Sequence, residues 1–184
     1  MPRVDHVIYG AKDLDTAAEH LATTFGLASV EGGVHPHLGT ANRLVGLGDS
    51  YIEVLAGPPV AALLGDGPDR MLGWMVRSDD IDADAARLGL DIVPMARVRP
   101  DGVELSWRLA GWGLGGALPV FIQWDTPWEP GGDARLAWVE VSVSPASLRD
   151  WVGEHELPLR YSAGDHGVHA VGVRLPDGRD VVVG

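Results

Sequence analysis

The sequence contains no cysteine, which removes disulfides, thiolate metal ligands and cysteine nucleophiles together. Basic residues are also scarce. Fourteen Lys+Arg stand against 26 Asp+Glu, a formal charge of −12, and lysine occurs once, at Lys12. That sign repels phosphate backbones and anionic bilayers, so neither nucleic acid nor membrane is an expected partner. No run approaches 18 consecutive apolar residues, and Met1 leads straight into a polar-punctuated strand. No membrane span and no signal peptide are therefore expected, and the expected location is the cytoplasm. A Gly-x-Ser-x-Gly elbow, a Walker loop and a dinucleotide fingerprint are all missing, so the chemistries they serve have no support. What is present is a chain of 184 residues, 46% apolar and 22% charged, the composition of a globular protein with a sizeable core.

Internal repetition organises this chain. A β-branched run, Arg3-Val4-Asp5-His6-Val7-Ile8-Tyr9, is followed by a helix start at Asp13-Leu14-Asp15. Asp13 is placed to cap the free N–H groups of that helix. Apolar residues from Leu14 to Phe25 recur at helical spacing, Gly26 offers the stop, and strands are predicted near 28–35, 41–47 and 50–56. The same order returns at Met71–Val76, with a second helix start at Asp80-Ile81-Asp82, 67 residues after the first, and strands near 91–98, 103–109 and 119–124. A fainter third pass has a strand over 136–143, a helix from Ser147, and strands near 159–163, 168–175 and 179–183. Gly- and Pro-rich linkers fall at 57–69 and 126–133. The expected architecture is α+β: βαβββ modules over 1–57, 70–126 and 134–184 in one compact unit, with a cupped mixed sheet built chiefly by the first two.

Strand alternation assigns faces. His6 shares a face with Val4 and Ile8, opposite Asp5, Val7 and Tyr9, while Glu53 shares a face with Tyr51 and Leu55. An imidazole and a carboxylate on one open face are suitable ligands for a divalent ion. Each alone is equally what a hydrogen-bonded core histidine or a solvated edge glutamate looks like. Asn42 and Thr40 share a face and either contact a ligand or tie down the turn at Gly39. His35 and His37 also share a face and either reach the cup from the second strand or form an extended rim, which Pro36 between them favours by breaking regular pairing. Trp107, Trp112, Phe121, Trp124 and Trp128 cluster in the second unit, as core or as the lining of an apolar pocket.

The Val-Asp-His-Val strand, the Asp-Leu-Asp helix start and the Tyr-Ile-Glu-Val strand resemble the vicinal oxygen chelate superfamily, which includes glyoxalase I, extradiol dioxygenases and fosfomycin- and bleomycin-resistance proteins. More narrowly, Glu31-Gly32-Gly33-Val34-His35-Pro36-His37-Leu38-Gly39-Thr40-Ala41-Asn42, followed by Tyr51-Ile52-Glu53, resembles the glyoxalase-like domain branch. The resemblance implies paired βαβββ units around a cup, with metal ligands from the first and fourth strands of each unit. Carried over, unit one supplies His6 and Glu53. Unit two supplies Gly73, which has no side chain, and Gln123, which offers only an uncharged carbonyl. If the third unit aligns at Ser147, Glu140 stands at the position of His6 and either completes the site or decorates an outer strand face.

Two functions follow as expectations. The first is a glyoxalase-like enzyme of lyase, isomerase or dioxygenase type, in which Zn, Ni, Mn or Fe chelates adjacent substrate oxygens. His6 and Glu53 are then the metal ligands, and Glu53, Gln123 and Glu140 the catalytic candidates. Desolvation in the cup is expected to raise the carboxylate pKa toward neutrality. The second is a metal-free small-molecule binding protein of drug-sequestering type. His37, Asn42, Trp74 and Trp124 are the expected ligand contacts in either case, and a homodimer is the expected assembly.

Overall fold

The computed structural model describes residues 1–112 and 116–184. Its first unit runs β1 (Arg3–Gly10), α1 (Leu14–Phe25), β2 (Val30–His35), β3 (Thr40–Gly46) and β4 (Tyr51–Ala56). A short helix, α2 (Pro58–Leu64), leads to β5 (Arg70–Arg77), α3 (Ile81–Leu88), β6 (Ile92–Val98), β7 (Glu104–Ala110) and β8 (Val120–Trp124). The chain ends with β9 (Arg135–Ser142), α4 (Pro145–Val152), β10 (Leu159–Tyr161), β11 (Gly167–Arg174) and β12 (Asp180–Val183).

The helix starts behave as the sequence predicts. Asp13 accepts from Thr16 N at 2.8 Å and Asp80 from Ala83 N at 3.0 Å, each satisfying an orphan donor of the first turn. Gly26 and Gly89 close their helices at φ 75° and 67°, where a Cβ would be strained. Helix α4 starts earlier than Ser147, because Ser144 is the cap and Pro145 fills the first helical position. The predicted linker at 57–69 holds α2, whose Pro58 and Pro59 open a turn that buries Val60 and Leu64.

Eight strands close into a barrel in the order β1-β4-β3-β2-β6-β7-β8-β5. Both units use one pairing scheme, the opening strand running parallel to the last: His6 sits opposite Tyr51 between β1 and β4, and Met75 opposite Val120 between β5 and β8. Strand alternation then turns one residue in two toward the interior. Unit two fills its half of that interior with Met75, Leu105, Trp107, Leu109, Val120 and Ile122.

The last segment repeats the element order but not the pairing. β9 pairs with β10 and β11 and forms a separate sheet, β10-β9-β11-β12. Its Val139, Val141, Val171 and Val173 pack with Trp74, Val76 and Phe121 on the outside of the barrel. Trp151 fastens the two layers by donating its indole N–H to the Pro119 carbonyl at 2.8 Å. Because the opening strand of this sheet has different neighbours, Glu140 does not occupy a position equivalent to His6.

Candidate ligand-binding site

The polar end of the barrel is built on one irregularity. The register between β1 and β5 shifts between Val4 and His6, leaving Asp5 as the extra residue of a bulge. Regular alternation would send Asp5 and His6 to opposite faces. Here Asp5 Oδ1 lies 2.6 Å from His6 Nδ1, and both residues are buried. Asp5 Oδ2 accepts from Arg77 Nε at 2.8 Å and from the Trp124 indole at 3.0 Å. Burial works to raise the Asp5 pKa, but the His6 hydrogen bond, the His6 and Arg77 charges and the indole N–H hold it below the ordinary carboxylate value.

On its other side His6 faces Glu53, with Nε2 3.5 Å from Oε2, and its ring stacks on Tyr51 at a centroid distance of 4.5 Å. Asn42, on the adjacent strand, donates from Nδ2 to Glu53 Oε1 at 2.6 Å. Burial opposes charge on both partners, yet the Asp5 and Glu53 contacts lift His6 to about 9. Burial likewise works to raise Glu53, but the contacts of His6, its charge and the Asn42 amide bring it to about 2. The expectation of a carboxylate pKa raised toward neutrality is therefore corrected: a cationic neighbour and an amide donor outweigh desolvation. Among the described residues Asn42 Oδ1 has no hydrogen-bond partner, and His6 Nε2 has only the Glu53 carboxylate at 3.5 Å, too long for a well-formed hydrogen bond, an acceptor and a donor that buried polar groups rarely leave unmet.

Two further residues complete the cup, and sequence reading did not select them for it. His35 is buried with Nδ1 3.0 Å from Thr40 Oγ1, and burial holds its pKa below the usual imidazole value. Arg97, at 4% exposure, donates from Nη1 to the Gly32 carbonyl and lies 5.7 Å from the Trp128 ring centroid. Gly32 is required here because a Cβ on it would collide with the Asn42 amide. Gly33, at φ 143°, brings the chain against the Val98 carbonyl. The Gly-Gly pair thus places β2 against β6, Asn42 against Glu53, and a carbonyl under Arg97.

His6, His35, Asn42, Glu53 and Arg97 supply the polar groups of a cavity of about 50 Å³ whose remaining lining is largely apolar, Met75, Met95, Leu109 and Ile122 included. A second cavity of about 380 Å³ adjoins it, sharing Ile8, Leu38, Thr40, Leu55 and Met75, and is lined beyond them by Pro59, Val60, Leu63, Leu72, Gly73 and Leu118.

Of the residues expected at the site, the structure brings together His6, Glu53, Asn42 and Trp124. Gln123 points away, its Oε1 accepting from Ile81 N at 2.8 Å at the start of α3. Met75 pairs with Val120 as Ile8 pairs with Glu53, so the counterpart of Glu53 on β8 is Val120, three positions before Gln123, and an odd offset reverses the face. Glu140 lies on β9 of the separate sheet, opposite Arg160 and outside the cup. His37 is exposed on the turn after β2, and His35 takes the inward place. Trp74 is 1% exposed, donates to the Ala117 carbonyl at 2.8 Å and borders only the larger cavity.

Among the described residues no group of three His, Asp or Glu side chains is placed to hold a metal ion. The charge balance is also unfavourable. Three carboxylates, buried Asp5 and Glu53 and the exposed Glu129 beside Arg77, already balance the cations His6, Arg77 and Arg97. A divalent ion would leave that set with a positive excess even after His6 gave up its proton. The residues present do not make a resident divalent-metal site.

A family model described as a glyoxalase-like domain matches residues 4–157. No curated protein matches the sequence. A hypothetical protein from Staphylococcus aureus is 16% identical, with 94% of this chain and 81% of that chain covered at a TM-score of 0.62. A Streptomyces coelicolor methylmalonyl-CoA epimerase variant in complex with 2-nitronate-propionyl-CoA is 20% identical, with 70% and 98% covered at a TM-score of 0.53. A methylmalonyl-CoA epimerase in complex with methylmalonyl-CoA and NH4+ is 18% identical, with 72% and 99% covered at 0.52. At these identities the likeness is one of fold. The family match covers most of the chain and decides the assignment: the chain belongs to the glyoxalase-like domain family.

Proposed function

We propose that the cup is a metal-independent binding site for a small organic anion. The observation that carries this reading is Arg97. Its guanidinium is buried in the cup wall, makes one hydrogen bond, and is ion-paired to no carboxylate among the described residues. A buried guanidinium with no carboxylate in direct contact is costly, and a ligand oxyanion offsets that cost. The unmet His6 Nε2 and Asn42 Oδ1 supply a further donor and acceptor for the same ligand. Glu53 near 2 is a weak base, and His6 near 9 holds its proton at neutral pH. Neither is poised for proton shuttling, which favours binding over general-base chemistry.

The test combines metal analysis of protein purified without chelator with calorimetric titration of butyrate. We expect no stoichiometric metal, saturable binding by the wild type, and a loss in Arg97→Met of roughly 30- to 100-fold, the effect of removing a charged hydrogen bond. A second reading, the metal-dependent lyase, isomerase or dioxygenase, draws on one observation. His6 Nε2 and Glu53 Oε2 are 3.5 Å apart, with Asp5 on the far ring nitrogen as a histidine ligand requires. Stoichiometric Zn, Ni, Mn or Fe that disappears in His6→Ala would overturn the anion site in its favour.

A further inference from the structure

The smaller cavity holds a head group and little more. At about 50 Å³ it accommodates a few water-sized atoms, whereas the adjoining cavity is about 380 Å³, within the range of small-molecule sites. The larger cavity is almost wholly hydrocarbon: α2 contributes Pro59, Val60 and Leu63, and β5 contributes Leu72 and Gly73. Gly73 is the inward residue paired with Ile8, one step along β5 from Met75, which borders both cavities. A Cβ built at Gly73 meets no atom of the described residues within 4 Å, and its φ is not in the left-handed region. The glycine is therefore needed neither for backbone conformation nor for close packing. What it leaves is space.

We infer that Gly73 is the specificity-determining residue of the site, and that the ligand is an amphiphilic carboxylate whose apolar arm lies in the chamber this glycine opens. The inference rests on the anion-site reading above. The position where the superfamily resemblance implies a metal ligand lines the hydrocarbon chamber, beside Met75, which borders both cavities. A side chain longer than a methyl group there would project into that chamber.

The experiment titrates a series of straight-chain carboxylates from butyrate to decanoate into the full chain, as wild type, Gly73→Ala and Gly73→Leu. For the wild type each added methylene that enters the chamber should tighten binding about fourfold, the equivalent of about 0.8 kcal/mol per buried CH₂. Gly73→Ala, which adds an atom where no described residue stands within 4 Å, should keep that length dependence. Gly73→Leu should flatten it, so that decanoate binds no tighter than butyrate. Near-ultraviolet circular dichroism of each variant separates a blocked chamber from a misfolded barrel. Binding that is independent of chain length in the wild type, or an unchanged length series in folded Gly73→Leu, overturns the inference while leaving the anion site standing. If no carboxylate binds the wild type, the anion site fails and the inference fails with it.

Discussion

Asp5 and His6 are consecutive in the chain, yet their side chains meet at 2.6 Å on the same side of a β-strand. Only the bulge in β1 permits this, and it gives His6 a buried carboxylate partner on each side of its ring. Asp5→Asn removes one of them and leaves Arg77, among the described residues, with only the exposed Glu129 carboxylate at 3.5 Å. The expected result is a His6 pKa lowered from about 9, read by imidazole NMR titration. A loss of about 3–5 kcal/mol in urea unfolding should accompany it, the usual cost of breaking a buried pair from one side.

The His6–Glu53 pair also sets the pH profile of stability. The His6 pKa rises from 6.5 to about 9 in the folded protein, so its contribution is complete below 6.5 and lost as pH climbs through 9. The Glu53 pKa falls from 4.5 to about 2, so its contribution is complete above 4.5 and lost as pH falls through 2. In thermal melts the contribution of this pair should therefore be level between about 4.5 and 6.5, where the depressed His35 pKa imposes its own decline as pH falls. His6→Gln should remove the alkaline slope that lies between 6.5 and 9 in the wild type.

Gly32→Ala tests the link between the Gly-Gly pair and the cup. Its methyl group would displace the Asn42 amide from Glu53. Forcing an atom into a filled site typically costs about 1–3 kcal/mol. Calorimetric titration of butyrate should show weakened binding in the same variant, because the carboxamide that orients Glu53 has moved. Gly89→Ala, at a helix end far from the cup, should show the stability loss without the affinity loss.

Much of this architecture is legible in the sequence because local signals agree with it. Asp13, Asp80 and the glycines at 26 and 89 mark helix ends by backbone chemistry alone, and the matching spacing exposes the paired units. His6 and Glu53 are legible because alternation on two recurring strands places both inward. Asp5 is not, since a bulge is a tertiary adjustment that breaks the parity rule at one residue. Gln123 shows the same fragility from the other side: an odd offset in aligning the last strands of the two units exchanges an inward position for an outward one. Arg97 was missed because a lone arginine on a strand ordinarily reads as a solvated charge. Its inward place follows only from the pairing of β6 with β2 and β7. Glu140 fails for a topological reason, since element order repeats in the final segment while strand partners do not.

The two joins between the paired units are unequal. β1 and β5 meet through seven registered positions, from Arg3 opposite Arg77 to Gly10 opposite Arg70, whereas β2 and β6 meet through one, Val34 opposite Val98. Amide hydrogen exchange should accordingly be faster along β2 and β6 than along β1 and β5, by an order of magnitude or more. Ligand added at saturating concentration should narrow that gap.

The weak join carries a consequence for how the barrel breathes. Arg97 reaches across it to the Gly32 carbonyl, so the guanidinium that faces the cup is also the clasp of the ring's loosest edge. An occupant that draws on Arg97 and a fluctuation that parts β2 from β6 compete for one side chain. Filling the pocket and latching the staves are therefore a single thermodynamic event.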